Sequence, residues 1–155
     1  GVGYAELTLP SNATVAALVV VNALGDVVDP ATGAIVAGAR GPDGRFVDAV
    51  ALLTGGQPRS VDAANTTIGV VMTDARLTKA EARALARAAH DGLAWAIRPA
   101  HTQFDGDTLF ALSHGDKTAD PVSLAAAAAV VVSRAILRAV RTAEGLHGVP
   151  GVRDV

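Results

Sequence analysis

The stretch "AANTTIGVV", residues 63–71, sets two hydroxyl-bearing residues directly before an apolar run. Ile68 to Met72 is short and rich in β-branched residues, so it reads as a strand. Thr66 and Thr67 then have two readings. They are β-formers where a loop becomes a strand, or one of them is a nucleophile released as an N-terminus when the bond before it breaks. A threonine hydroxyl is a weak nucleophile until a base takes its proton. If the Asn65–Thr66 bond is cut, Thr66 gains a free α-amine. Such amines have a pKa of about 7.7–8.0, so a fraction is neutral and basic near pH 7. Amine and hydroxyl then belong to one residue, and nothing further is needed to bring them together. The preceding "TGGQPRSVDAA", 54–64, is expected to be a mobile loop whose severed end can swing clear.

Outward from this stretch, residues 3–9 alternate as a strand, "PSNA" reads as a turn, and "TVAALVVV", 14–21, reads as a buried strand ended by Asn22. "NALGDVVDPATG" follows as turn, short strand and turn. Residues 37–62 read as loop with a short helix at 46–53. After the 68–72 strand, Thr78 and Glu81 form a capping box for a helix with Leu85, Ala89, Leu93 and Ala96 on one face. Pro99 stops that helix. "TLFALS", 108–113, is another strand. Asp120 caps a last helix with Pro121 at its first position, running to about Ala143 and ending at Gly145. Strands gathered with two long Ala-rich helices predict layers of sheet and helix, an α+β fold.

The chain has 155 residues, 50% hydrophobic but only 3% aromatic, so its core must be built from Ala, Val, Leu and Ile. A net charge of −2 gives no reason to expect nucleic acid or an acidic membrane as partner. The apolar run "SLAAAAAVVVSRAIL" breaks at Ser133 and Arg134, short of the roughly 20 residues of a membrane helix. With no cysteine there is no disulfide framework and no thiol chemistry. That composition, with no secretory signal, sets the expectation of a cytoplasmic protein. The opening "GVGYAELTL" reads as a start in mid-sheet, as in a fragment or one product of a processed precursor.

Most other chemistry is poorly supported. The four histidines, His90, His101, His114 and His147, make no HExxH pair, and His90 and His101 read as structural. "DGDTLFALSHGD" begins like a calcium loop, but Leu109 occupies a ligand position. No G-x-S-x-G elbow is present, and "GVG" and "TGG" are turn fragments rather than phosphate or dinucleotide loops. No metal or cofactor is expected. Asp105 and Asp107 in "FDGDT" could aim two carboxylates at one centre if that stretch is extended, or could form a solvated turn.

Residues 65–115 closely resemble the family of L-aminopeptidase/D-esterases, which includes β-peptidyl aminopeptidases and nylon-oligomer hydrolases. "NTTIGVV", "AHDGLAWAIRPAH" and "DGDT" carry the resemblance together, and "GVGYAELTL", "VVVNALGDVVDPATG" and "GVPGVRDV" extend it. Residues 37–60 stand outside it. The resemblance implies an αββα sandwich of the N-terminal nucleophile type, here lacking the family's N-terminal portion. It implies cleavage at Asn65–Thr66, with Thr66 as nucleophile, and Asn22 as an oxyanion donor. Residues 1–65 would be the tail of a first segment and 66–155 the second. Threonine with Asp105 and Asp107 resembles the nylon-oligomer hydrolase branch. Implied partners are a small peptide or oligoamide substrate, the remaining N-terminal segment of the precursor, and further copies in a homo-oligomer.

The expected function is thus a self-processing amide hydrolase in which Asp105 and Asp107 orient the Thr66 amine and hydroxyl. A polar side chain facing the core at a strand end needs a partner, so Asn22 either serves as that donor or bonds nearby backbone in the turn "NALGD". The alternatives are an acyltransferase of the ornithine acetyltransferase type and an inactive fragment serving only assembly.

Overall fold

The computed structural model describes residues 1–56 and 65–154. The expected mobile loop falls mainly on 57–64, outside the described residues. Two strands open the chain, β1 (Val2–Thr8) and β2 (Thr14–Val20), paired antiparallel through a turn in which Asn12 has φ 63°. Two short strands follow, β3 (Asp26–Val28) and β4 (Ile35–Ala37), then a six-residue helix α1 (Ala49–Thr54). The main sheet is completed by β5 (Ile68–Ala75) and β7 (Thr108–Lys117), in the order β1-β2-β5-β7. β5 runs antiparallel to β2 and parallel to β7. A parallel pair needs a crossover, and α2 (Lys79–Ala96) lies within it. β6 (Ile97–Arg98) follows α2 directly and joins β3 and β4 in a second small sheet. α3 (Pro121–Thr142) ends the regular structure.

The helices start where the sequence places their caps. The Thr78 side chain accepts from the Glu81 N–H, and the Glu81 carboxylate accepts from the Thr78 N–H at 2.7 Å. The Asp120 carboxylate accepts from the Ser123 N–H at 2.8 Å, with Pro121 next to it. Both helices lie on one face of the main sheet. Val15, Ala17, Val19, Val71 and Leu109 point into that core, against Leu85, Ala89 and Leu93 of α2 and Val131, Val132 and Ile136 of α3.

This core has no aromatic side chain among its described residues. Small residues let the layers close up instead. A Cβ on Gly3 of β1 would lie 1.9 Å from the Ala135 carbonyl oxygen of α3, and one on Gly92 of α2 would lie 2.0 Å from that of Ala129. α3 is long and apolar enough to cross a membrane by length and composition. It continues straight through Ser133, which is buried, and Arg134, which is exposed, so the sequence break is no helix end. Its apolarity is used on both sides, against the β1–β2 hairpin and against α2.

The other face of the sheet is open. Alternation sends Val2, Tyr4, Leu18, Val20, Ile68, Phe110 and Leu112 to that side, all exposed. The second sheet does not cover it, since β3 and β4 touch α3 and β3 also touches α2. Of a four-layer sandwich, the described residues form one main sheet and its helix layer.

Several elements differ from the sequence reading, among them α1, which starts at Ala49 rather than at residue 46. β5 continues three residues beyond Met72 because the β1–β2 turn secures it: Thr73 Oγ1 donates to the Thr14 carbonyl and Asp74 accepts from the Thr14 N–H. β7 likewise runs on to Lys117, whose ammonium pairs with Asp74 at 2.8 Å. β4 and β6, of three and two residues, carry too little periodicity to read.

The Gly92 contact has a measurable consequence. Gly→Ala in an exposed helix gains about 1 kcal/mol, but here the methyl meets the α3 backbone. Gly92→Ala is expected to destabilise by roughly 1–3 kcal/mol, as overpacking does, in urea unfolding. A stabilised variant would mean that the two helices lie further apart.

Candidate active site

The approach to β5 brings the sequence-predicted residues together. The peptide unit between Asn65 and Thr66 is bonded on both sides. The Thr66 N–H donates to the Asn22 main-chain carbonyl at 2.8 Å, just beyond β2. The Asn65 carbonyl accepts from the Gly106 N–H at 3.0 Å, just before β7. Asn65 and Asp105 form an isolated parallel bridge, and the Thr67 carbonyl accepts from the Thr108 N–H at 3.0 Å. Residues 65–67 therefore extend β5 into the sheet rather than ending a loose loop.

Strand alternation separates the two threonines. Thr67 is fully buried, and its hydroxyl has no hydrogen-bond partner among the described residues. Thr66 is half-buried, with its hydroxyl over Gly106, where an added Cβ would come within 2.7 Å of Oγ1. Of the two residues, Thr66 is the one not enclosed in the core.

The two carboxylates have different partners. Asp107 Oδ1 accepts from the Thr67 main-chain N–H at 2.7 Å, replacing a ladder bond at the residue after Thr66. Asp105 Oδ2 accepts from the Thr102 N–H and hydroxyl at 2.9 and 2.8 Å, so it closes its own turn. No hydrogen bond from either carboxylate to Thr66 is found among those described. Both residues flank Gly106 in the segment leading into β7.

Asn22 lies at Thr66 but is exposed, so it does not face the core. The cost of an unpaired buried amide therefore does not account for it. Its main-chain carbonyl accepts from the Thr66 N–H. Asn65 Nδ2 donates to the Ala23 carbonyl at 3.2 Å, which ties the two segments together again.

Two residues read as structural belong to this neighbourhood. The rings of His90, on α2, and His101 lie 5.0 Å apart at 50°. Both act electrostatically on Asp107. Burial pushes the Asp107 carboxyl above its ordinary value, and the Asp105 charge adds to the rise. The Thr67 N–H and the two imidazoles pull the other way. Burial also holds His90 below its ordinary value, with His101 adding to that effect and Asp107 and Asp91 opposing it. Sequence spacing gives no signal for this pair, because α2 ends between the two residues.

Residues 1–153 match peptidase family S58. An uncharacterized aminopeptidase of Mycobacterium tuberculosis is 43% identical, the match covering all of this chain and 52% of that protein. One of Mycobacterium leprae is 45% identical over 97% of this chain and 46% of its own length. The 6-aminohexanoate-oligomer endohydrolase of Paenarthrobacter ureafaciens is 39% identical over 56 residues, 36% of this chain and 16% of that protein. Among solved structures, the L-aminopeptidase D-Ala-esterase/amidase of Ochrobactrum anthropi superposes with a TM-score of 0.64 at 19% identity, over 97% of this chain and 42% of that one. A Burkholderia β-aminopeptidase gives 0.62 at 22% identity, over 91% and 41%.

A threonine leading into a central strand, with helices stacked on one face of the sheet, is thus set in the fold of the N-terminal-nucleophile hydrolases. The chain belongs to peptidase family S58. It spans about half the length of the relatives it matches. Likeness to the 6-aminohexanoate-oligomer endohydrolases covers between about a third and about half of the chain, whereas the mycobacterial matches run essentially its full length.

The environments of Thr67 and Asp107 each predict a measurable effect. Thr67→Val removes a buried, unpartnered hydroxyl at constant shape and is expected to stabilise by about 1 kcal/mol or more. Urea unfolding measures this, and a destabilised variant would reveal a partner for that hydroxyl. For Asp107 the folded state binds its proton more tightly than the unfolded chain does. Its penalty on stability therefore grows as pH rises from the ordinary carboxylate value, and levels off above the raised one. Asp107→Asn keeps an acceptor for the Thr67 N–H and loses the charge. Its stability relative to wild type should rise with pH across that window, and a flat difference would contradict the burial effect.

Proposed function

We propose that this chain is the nucleophile-bearing part of a self-processing amide hydrolase. Thr66 is its nucleophile, and Asn65–Thr66 is the bond it opens in itself. The observation that carries the proposal is the contrast between adjacent threonines: Thr67 is sealed in the core, and Thr66 is half-buried with its hydroxyl beside Gly106 in the carboxylate segment. Family membership supports the same chemistry. The precursor divides into residues 1–65, the tail of a first segment, and 66–155, the second.

In self-cleavage the Thr66 hydroxyl attacks the Asn65 carbonyl, an N-to-O acyl shift gives an ester, and water hydrolyses it. The freed Thr66 amine then serves as base for its own hydroxyl. The Asn22 carbonyl that holds the Thr66 N–H is positioned to hold the amine derived from it. Asp107 fixes the residue after the nucleophile, and Asp105 fixes the turn from which Asp107 projects. The Asn22 side chain and main-chain amides stabilise the tetrahedral oxyanion. Water releases the acyl group, and no cofactor is required. The substrate is a small peptide or oligoamide.

The open apolar face supports a further layer supplied by the rest of the precursor, with processed units assembling as homo-oligomers. A patch of that kind marks an interaction surface.

The test is intact mass spectrometry of the protein expressed with its natural flanking sequence, together with hydrolysis of aminoacyl p-nitroanilides. Wild type should yield a chain starting at Thr66. Thr66→Ala should stay uncut and inactive, and Thr66→Ser should retain some of both activities because it keeps the hydroxyl. Full activity from an uncut chain would overturn the mechanism. Product formation that depends on an added amine would favour acyl transfer over hydrolysis.

A further inference from the structure

Gly106 sits between the two carboxylates and reads from the sequence as a turn glycine. Its placement is more specific than a turn requires. Its N–H donates to the Asn65 carbonyl oxygen at 3.0 Å, and that carbonyl is the one Thr66 would attack. Its missing side chain leaves the space that Thr66 Oγ1 occupies, because a Cβ there would lie 2.7 Å from that oxygen. One residue thus borders the attacking oxygen and the carbonyl oxygen on which charge would develop in self-cleavage. On the opposite side, the Asn22 carbonyl holds the Thr66 N–H at 2.8 Å, so the peptide cannot turn its carbonyl away without breaking a second bond.

We propose that the Gly106 N–H is the oxyanion donor for self-cleavage at Asn65–Thr66, and that residue 106 must be glycine to leave Thr66 Oγ1 room to attack. This inference rests on the reading that this bond is the one cut. An Oγ1 electron pair forms the bond to the Asn65 carbonyl carbon. The carbonyl π pair moves onto oxygen, and the oxyanion so formed is held by the Gly106 N–H. When the carbonyl re-forms, the carbon–nitrogen bond breaks. The nitrogen takes up the proton lost by the hydroxyl, which leaves an amine and an ester. Water then splits the ester into the Asn65 carboxylate and the Thr66 hydroxyl. The donor is already in place on the uncut peptide, so no reorganisation accompanies the charge.

The test uses the precursor with its natural flanking sequence, purified before processing is complete, with the appearance of a Thr66 N-terminus followed by mass spectrometry. Replacing Gly106 by glycolic acid through nonsense suppression exchanges only its N–H for an ester oxygen. This should slow cutting by on the order of 10²-fold, as loss of one oxyanion donor does. The control is the same exchange at residue 108, with the α-hydroxy analogue of Thr. Its N–H bonds the Thr67 carbonyl one repeat along the same ladder. That variant should be cut within a few-fold of the wild-type rate. Equal slowing of both, or wild-type cutting with the residue 106 ester, would overturn the proposal. Should the ester protein not fold, Gly106→Ala keeps the N–H but places a methyl against Oγ1, and its cutting should also be strongly slowed. A wild-type rate for that variant would overturn the spatial half of the proposal. A wild-type precursor never cut at 65–66 would instead overturn the reading on which this one rests.

Discussion

The peptide unit joining Asn65 to Thr66 is held from both sides, and most of the architecture serves that constraint. In a strand, a carbonyl and the following N–H point in opposite directions, so one peptide unit can bond both neighbours only if its strand is internal to the sheet. β5 meets this condition because the β1–β2 hairpin brings β2 to one side and the α2 crossover delivers β7 to the other. The Thr66 hydroxyl is consequently positioned by a sheet and not by a loop, which gives a side chain a more precise seat.

The composition follows from the same layering. Helices that approach a sheet through Gly3 and each other through Gly92 have no room for large rings, and the core is correspondingly filled by Ala, Val, Leu and Ile. Tyr4 and Phe110 lie on the open side instead, with Leu18, Val20 and Leu112 around them. The two faces are thus built by different rules: small residues where backbones approach, large ones where another surface can interleave.

Much of this was legible in the chain. Capping at Thr78 and Asp120 is a local event, and the side-chain bonds found are those the residue pattern predicts. Alternation in β1 was readable for the same reason, and β2 and β7 were readable as strands. What escaped depends on residues distant in sequence. The end of strand β5 is secured by Thr14, about sixty positions earlier. The pairing of Asp105 with Thr102, and of Asp107 with the Thr67 N–H, is decided by the turn before β7, so spacing alone made the carboxylates look equivalent. His90 and His101 meet only because α2 ends and the chain turns back between them. The exposure of Asn22 depends on which side of the sheet the chain leaves β2 by, which the apolar run does not encode.

Both sheets draw strands from each side of position 65. β2 pairs with β5 in the main sheet, and β3 pairs with β6 in the small one. α3, from the far end of the chain, is packed on β1 and β2. Opening the backbone at 65–66 would therefore create two polypeptides with no subunit boundary between them. They would share one hydrophobic core, and separating them would expose as much surface as unfolding does. The nick would change the molecularity of the folding equilibrium instead. A unimolecular reaction becomes a bimolecular one, whose midpoint shifts with protein concentration, while the native state keeps the same contacts.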